Sequence, residues 1–182
     1  IDESIATCLY TGIMTDTGSF RFPSTTARTH QIVSSLIEKG AQPHSIHQNI
    51  YDTASFNRLR LLGTALNNLK KIEGLPVVYI TLSQKELNQN KFKKGDTEGF
   101  VNYGLSLQGV LLSVIMIENE SEKIIKMSFR SKGSVDVNQF ARKHFNGGGH
   151  INAAGGKSDT SIEETVSYFI KSIESEKNIF NA

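Results

Sequence analysis

Two short stretches of the sequence carry residue types suited to binding phosphate. Arg130 and Ser131 close a strand-like alternating pattern, and Gly147-Gly148-Gly149-His150 follows after a predicted helix. A guanidinium offers a bidentate fork to phosphate, glycine amides offer N–H donors, and an imidazole can share a proton. Taken separately, Arg130 is typical of a surface ion pair and a triple glycine of a mobile turn. Together they favour a site for a phosphate monoester or diester.

The glycine-rich segment 146–156 is central to this interpretation. Five of its eleven residues are glycine, which leaves the backbone free to adopt positive φ or to approach a ligand closely. We predict that residues 150–154 begin a short helix, which would direct unpaired N–H groups at the glycines and place His150 at the mouth of the site. The alternative is a mobile turn with an incidental histidine.

A third candidate, Asp16, lies where a predicted helix meets a loop. Apolar residues recur at helical spacing before it: Ile5, Cys8, Leu9 and Ile13. The pattern then breaks into Thr15-Asp-Thr-Gly-Ser-Phe20. A carboxylate at such a place can cap the turn, bind a metal ion or face water, and spacing alone favours the cap.

The first half of the chain is predicted to be helical. Residues 20–23 are predicted to be extended, because proline disfavours helix in the residue before it. Three helices follow: one capped by Ser24 or Thr25 that ends at Lys39, one from Pro43 to Tyr51, and one capped by Ser55 that reaches about Lys71. The buried side of the first of these is predicted to carry Ile32, Val33, Leu36 and Ile37.

The second half changes to a mixed pattern of strands and helices. The predicted elements are a strand at 77–82, a helix after Ser83, a helix from 96–98, strands at 110–117 and 125–130, a helix capped by Asp136, and a last helix with a capping box at Ser161 and Glu164. We therefore predict an α/β fold, with a helical first part, a connector helix at 53–74 and an α+β domain at 75–182 that has a mixed sheet and flanking helices.

Composition narrows the choice of partners. The chain has 20 Lys and Arg against 18 Asp and Glu, and a net charge of +2 is too small to suggest a long duplex held by its phosphates. The single cysteine, Cys8, excludes an internal disulfide, and no apolar run approaches the roughly 20 residues of a membrane span. We expect a cytoplasmic protein with no membrane partner. Because the sequence starts at Ile1, we expect a piece of a longer protein.

Two motifs resemble those of the DHH phosphoesterase superfamily. Thr11-Gly-Ile-Met-Thr-Asp-Thr-Gly-Ser-Phe20 resembles its last metal-binding motif. Phe129-Arg-Ser-Lys132, followed by Phe145-Asn-Gly-Gly-Gly-His-Ile-Asn-Ala-Ala-Gly155, resembles its DHH-associated C-terminal domain. The resemblance extends over most of the chain and is closest to the bacterial nano-RNase branch, which also acts on 3′-phosphoadenosine 5′-phosphate.

The resemblance implies roles for particular residues. Residues 1–52 would be the C-terminal part of a DHH catalytic domain, and 75–182 the DHH-associated substrate-binding domain. Asp16 would be a catalytic ligand of one of two Mn²⁺ ions that activate water for in-line displacement at phosphorus. Substrate binding would fall to Arg130, Ser131, Gly147, Gly148, Gly149, His150 and Asn152, with His150 also active in catalysis. Because the other metal motifs of the superfamily are missing from this sequence, we expect the fragment to bind Mn²⁺ weakly and to be inactive.

The implied activity is that of a metal-dependent phosphodiesterase, an exonuclease on very short oligoribonucleotides and 3′-phosphoadenosine 5′-phosphate. Its partners would be short RNA or nucleotides, and a homodimer is compatible with it. Two alternatives stay open: a phosphodiesterase for linear or cyclic dinucleotides, and a non-catalytic RNA-binding module like those that end alanyl-tRNA synthetases. Asp16 in its motif favours an enzyme over the module.

Overall fold

The computed structural model describes residues 1–180 of the 182-residue chain. The chain divides into two compact units, residues 1–54 and the residues from Ser55 onward. The first unit contains three helices, α1 (Glu3–Asp16), α2 (Ala27–Glu38) and α3 (Pro43–Tyr51). Their shared core contains Ala6, Tyr10, Met14, Val33, Leu36, Ala41 and Ile46.

The boundaries of these helices follow local capping chemistry. Thr26 and Thr29 form a reciprocal capping box at the start of α2, and Pro43 occupies the first turn of α3, where its missing N–H costs nothing. The helix at Pro43 is confirmed. The caps predicted at Ser24 or Thr25 are wrong by one or two residues, because the Thr26 hydroxyl is the one that reaches the N–H three residues further on.

Two further predictions for the first unit are wrong. Residues 20–23 are not extended, because Gly18, Ser19 and Phe20 take positive φ values of 56°, 58° and 65° and turn the chain tightly after α1. Ile32 and Ile37 were predicted to be buried but are 39% and 44% exposed. The buried stripe of α2 is narrower than the apolar pattern of its sequence.

The second unit is built around one six-stranded sheet. Its strands are β1 (Lys70–Lys71), β2 (Val77–Leu82), β3 (Leu112–Asn119), β4 (Ile124–Ser131), β5 (Gly148–His150) and β6 (Ala153–Ser158). Its helices are α4 (Phe56–Asn67), α5 (Gln84–Gln89), α6 (Phe100–Leu105), α7 (Val137–His144) and α8 (Ile162–Ser175), followed by a 3₁₀ turn at Lys177–Phe180. The strand order is β1-β2-β3-β4-β6-β5. Only β2 and β3 are parallel, so the predicted α/β fold with a mixed sheet is confirmed.

Each face of the sheet has its own apolar core. On one face, Phe129 packs with Phe140, Phe145 and Phe169, which brings α7 and α8 against β4. On the other face, α4, α5 and α6 cover β2 and β3 through Leu61, Ala65, Ile80, Leu82, Leu87, Phe100, Val101 and Ile115. The alternation along β4 therefore sends Ile125, Met127 and Phe129 into the first core and leaves Lys126, Ser128 and Arg130 on the opposite face.

The segment after the triple glycine is a β-hairpin, so the short helix predicted at 150–154 is wrong. β5 and β6 are joined by a turn at Ile151 and Asn152, and β6 pairs with β4 over six residues, from Ala153 to Ser158. A helix here would leave the edge of β4 without hydrogen-bond partners, which the backbone avoids. Local helix propensity is overridden by completion of the sheet.

Smaller differences concern element lengths. The helix predicted at 53–74 is observed as α4, but it ends at Asn67, and Lys70-Lys71 pair with β2 as strand β1. The helix predicted from 96–98 starts only at Phe100, after Gly99 with φ 81°. No helix among residues 1–180 is long and apolar enough to cross a membrane.

A polar clamp ties α7 to the end of α8. His144 Nε2 lies 2.8 Å from Glu176 Oε1, its Nδ1 lies 3.2 Å from the Tyr168 hydroxyl, and Lys143 also bonds Glu176. Burial alone would raise the pKa of Glu176, but the hydrogen bonds from Lys143 and His144 outweigh it and hold that pKa below its usual value. Helix α7 supports β5, so this clamp supports the glycine strand.

The clamp predicts a pH dependence of stability. Because the pKa of Glu176 is lowered in the folded state, its contribution is complete above the unfolded pKa and is lost as pH falls through the folded pKa. Glu176→Gln should lower the free energy of unfolding at pH 7 by about 0.5–1 kcal/mol and flatten its acid dependence. Urea unfolding at several pH values measures this, and parallel curves for both proteins would contradict it.

Candidate functional site

Arg130 and His150 lie in one row across the outer strands of the sheet. Arg130 of β4 pairs with Ala153 of β6, and Ala153 pairs with His150 of β5. Side chains of directly paired residues lie on the same face, and two antiparallel steps separate the outer Cα atoms by about 10 Å. Only the methyl group of Ala153 lies between the side chains of Arg130 and His150. The row thus has a guanidinium at one end, an imidazole at the other and a shallow floor between them.

Beyond Arg130, the row continues onto β3, where α6 covers it. Arg130 also pairs with Ser113 of β3, whose hydroxyl donates to Val101 O of α6 at 2.7 Å. A Cβ added at Gly104 would lie 2.4 Å from Ser113 Oγ, so α6 lies directly on the sheet here. Farther along β6, Gly155 and Lys157 are exposed. The open part of the sheet face therefore begins beyond α6.

Arg130 is a partly buried cation without an ion pair among residues 1–180. Within that part of the chain, its side chain makes one hydrogen bond, from Nη1 to Phe129 O at 2.8 Å. Burial lowers the pKa of the guanidinium, which still remains charged at physiological pH. Partial loss of water around a cation is unfavourable unless an anion replaces it. This favours an anionic ligand over the surface ion pair that Arg130 alone would suggest.

Ser131 and Asn152 hold the hairpin turn against the loop that follows β4. Ser131 Oγ is buried and donates to Val135 O at 2.6 Å, while Asn152 Nδ2 donates to Ser131 Oγ at 2.9 Å and to Gly133 O at 3.1 Å. The backbone adds a bond from Ser131 N to Asn152 O. Both predicted site residues are thus next to Arg130, and their hydrogen bonds fix the turn.

Two of the three glycines bring His150 to the sheet through close backbone contacts. A Cβ on Gly147 would lie 2.0 Å from Gly155 O, and one on Gly149 would lie 2.4 Å from Ala153 O. Gly147 N donates to Ala141 O, and Gly149 N donates to Asn138 Oδ1 at 2.9 Å. Both amides already have partners within the protein. Side chains are therefore the main donors that this segment offers to an anion.

His150 is exposed, and its ring forms no hydrogen bond or aromatic contact with residues 1–180. It differs in this from His144, whose two ring nitrogens are both engaged in the clamp on α8. An imidazole that is not held internally can donate to, or share a proton with, a ligand in the same row.

Asp16 is the last residue of α1, where the sequence predicted that the helix meets a loop, and it is exposed. The cap that spacing favoured for its carboxylate is wrong, because the hydroxyl of Thr17 caps the turn instead. The next residue, Thr17, is buried and organises the turn: its hydroxyl donates to Ile13 O at 2.7 Å and accepts from Phe20 N at 3.1 Å. Within residues 1–180 no group of three His, Cys, Asp or Glu side chains could hold a metal ion. The described residues therefore do not form a metal site by themselves.

The role of Thr17 gives a testable prediction. Thr17→Val keeps the shape of the side chain but leaves the Phe20 N–H without its partner, so it should destabilise the first unit by about 1–2 kcal/mol. Amide hydrogen exchange of α1 should accelerate accordingly. Thr17→Ser, which retains the hydroxyl, is the matched control, and equal exchange rates in Thr17→Val and Thr17→Ser would contradict this role.

Sequence reasoning missed the supporting residues Ala153, Asn138 and Thr17. Ala153 leaves the centre of the row open, and Asn138 fixes Gly149 from α7. Their residue types carry no chemical signal, and only pairing register or burial reveals their positions.

Two surface depressions in the described chain, one lined by Gln84 and Ser161 and one by Gln139 and Glu176, do not include the row. The candidate site is an open strip of sheet.

Comparisons with known proteins identify the family to which this sequence is similar. The sequence profile of the DHHA1 domain matches residues 74–177. The bifunctional oligoribonuclease and PAP phosphatase NrnA of Bacillus subtilis is 32% identical over 158 residues, which are 85% of this chain and 48% of that protein. NrnA of Thermus thermophilus is 31% identical over 153 residues, 83% of this chain and 44% of that protein.

A solved structure agrees with the fold in detail. The exopolyphosphatase-related protein from Bacteroides fragilis matches 100% of this chain with a TM-score of 0.96 and 39% sequence identity, and the match covers 53% of that protein. This chain spans about half the length of the relatives that it matches.

Proposed function

Because this chain belongs to the DHHA1 domain family, as its motifs predicted, we propose that it supplies the substrate-binding domain of a phosphodiesterase that degrades very short oligoribonucleotides and 3′-phosphoadenosine 5′-phosphate. Relatives named for both activities match 85% and 83% of the chain. The observation that carries the proposal is Arg130, a partly buried cation without an ion pair among residues 1–180, in one row with an unengaged His150.

In this proposal Arg130 and His150 hold a phosphate group from two sides. The guanidinium binds two phosphate oxygens through its fork, and His150 donates a third hydrogen bond or shares the proton of a monoester. Ser131 and Asn152 position the turn, Gly147 leads into β5, and Gly148 and Gly149 form the part of β5 that precedes His150. A small anion-binding row of this kind suits a nucleotide or a few nucleotides and has no groove for a long duplex.

Asp16 would supply one ligand of the metal site in this proposal. Asp16 is one carboxylate, and a pair of Mn²⁺ ions requires several oxygen or nitrogen ligands. The relatives are about twice as long as this chain, which leaves room for further ligands elsewhere in the whole protein. When bound, such ions would activate water and stabilise the leaving oxygen.

We also propose that the whole protein is cytoplasmic and assembles as a homodimer.

A substrate panel on the whole protein tests this function. We expect Mn²⁺-dependent hydrolysis of 5′-phosphorylated RNA dinucleotides and trinucleotides and release of phosphate from 3′-phosphoadenosine 5′-phosphate, with no activity on duplex RNA of 30 base pairs. Cyclic dinucleotides belong in the same panel as competitors. Hydrolysis of cyclic dinucleotides alone would contradict the proposed substrate class, and RNA binding without any hydrolysis would contradict the assignment as an enzyme.

A further inference from the structure

A second cationic position lies on the same sheet face as Arg130. Lys126 of β4 pairs in register with Lys157 of β6, and both are exposed. Like charges directly opposite each other on antiparallel strands are destabilising. The fold has no need of this pair, since an exposed position on this face accepts any polar residue. The pairing of Lys126 with Lys157 is therefore better explained by binding of an anionic ligand than by stability of the fold.

One carboxylate partly offsets the two lysines. Glu122, in the turn before β4, forms an ion pair with Lys126, and the hydrogen bond from Lys126, with a smaller effect of Lys157, keeps the pKa of Glu122 below its usual value. The side chain of Glu122 is 54% exposed, and exposed ion pairs contribute little. A single solvated carboxylate leaves net positive charge at this position.

The strand geometry sets the distance between the two cationic positions. Arg130 and Lys126 are four residues apart on β4, which corresponds to about 14 Å, and Ser128 stands midway. Beside Ser128, Gly155 of β6 presents no side chain, and a Cβ there would meet only Met127 O, at 3.7 Å. Along the open face, successive pairs of outward-facing residues are therefore two residues, or about 7 Å, apart. These pairs are Arg130 with Ala153, Ser128 with Gly155, and Lys126 with Lys157.

This repeat matches the phosphate spacing of a nucleic acid strand. Three backbone bonds span 3.8 Å in a polypeptide, so the six bonds between successive phosphorus atoms of RNA span about 7 Å when extended. Three consecutive phosphates therefore cover the distance from Arg130 to Lys126. Flat glycine and alanine positions between the cations leave room for a sugar-phosphate chain along the strands.

We propose that Lys126 and Lys157 form a second phosphate subsite, which binds the third phosphate of a 5′-phosphorylated trinucleotide whose first phosphate is held by Arg130 and His150. This inference rests on the proposed function of the Arg130 row. Ser128 faces the middle phosphate and offers one hydroxyl to it. The subsite favours trinucleotides over mononucleotides and gives the strip a defined length, because β4 begins at Ile124, two residues before Lys126.

The test compares ligands of increasing length on the full 182-residue chain. Dissociation constants are measured for 5′-phosphorylated RNA mono-, di- and trinucleotides with wild type, Lys126→Ala/Lys157→Ala, and Arg130→Ala. The double variant Lys171→Ala/Lys177→Ala is the matched control, because it removes the same charge from exposed positions on α8 and the 3₁₀ turn that follows it. Thermal melting of each variant establishes that it is folded.

For the lysine pair, we expect the trinucleotide to bind about five-fold more weakly, the scale of two exposed ion pairs, with mononucleotide binding unchanged. The slope of log K against log salt for the trinucleotide should decrease by about 0.7, because the lysine pair neutralises one phosphate of a single strand. Unchanged trinucleotide affinity, or equal weakening at all lengths, with Arg130→Ala still defective, would overturn this inference alone. Normal binding of every ligand by Arg130→Ala would overturn the proposed function itself.

Discussion

Arg130→Ala is expected to weaken binding of a nucleoside monophosphate by about 10- to 150-fold. A hydrogen bond to a charged group contributes about 1.5–3 kcal/mol, and the truncated side chain loses its whole fork. The fold should be unaffected, because within residues 1–180 the Arg130 side chain makes a single hydrogen bond, to the carbonyl of its neighbour Phe129, and no ion pair. Thermal melting should therefore match the wild type.

The matched control for this variant is Arg60→Ala, which removes an exposed arginine from α4. Calorimetric titration of both variants with the same nucleotide separates the local effect from a change in net charge. Equal affinities for Arg130→Ala, Arg60→Ala and the wild type would show that Arg130 is only a surface charge.

Gly147→Ala is expected to have the largest effect on stability within the candidate site. Its Cβ would lie 2.0 Å from Gly155 O and 2.8 Å from Gly156 Cα, and both are backbone atoms of a paired strand that cannot move without breaking the sheet. Overpacking of this kind costs about 3 kcal/mol, at the upper end of its usual range. For a chain of this length the melting temperature should fall by roughly 6–12 °C.

Gly148→Ala, at the next residue and the first of β5, is the control for that change. Its nearest atoms would be those of the Arg142 guanidinium, at 3.4 Å, and a flexible side chain can give way. It should melt close to the wild type, whereas Gly147→Ala should also lose phosphate binding because His150 is no longer held on the sheet. Equal melting temperatures for the two variants would contradict the packing role of Gly147.

Periodicity and caps predicted much of this fold. The alternation of Ile125, Met127 and Phe129 with polar residues predicted the buried and open faces of β4, and the capping box at Ser161 and Glu164 marked the start of α8. Both signals are local, since they depend on residues within one element. The α/β fold with a mixed sheet follows from the order of such elements.

The glycine segment shows why local signals were insufficient. Residues 150–154 have acceptable helix propensity, but the free edge of β4 has unpaired backbone groups that only a strand can satisfy. That requirement comes from pairing across 20 residues or more of sequence and is invisible in the segment itself. The same holds for Ala153, whose place between Arg130 and His150 depends on the register of three strands.

An NMR titration of the 182-residue chain with a nucleoside 5′-monophosphate tests the central claim most directly. If the row from Arg130 to His150 binds phosphate, amide shifts should concentrate at Arg130 and at residues 147–152, and these shifts should be lost in His150→Ala. Shifts confined to other parts of the chain, such as the depression lined by Gln84 and Ser161, or shifts that persist unchanged in His150→Ala, would contradict the assignment of this row as the phosphate site.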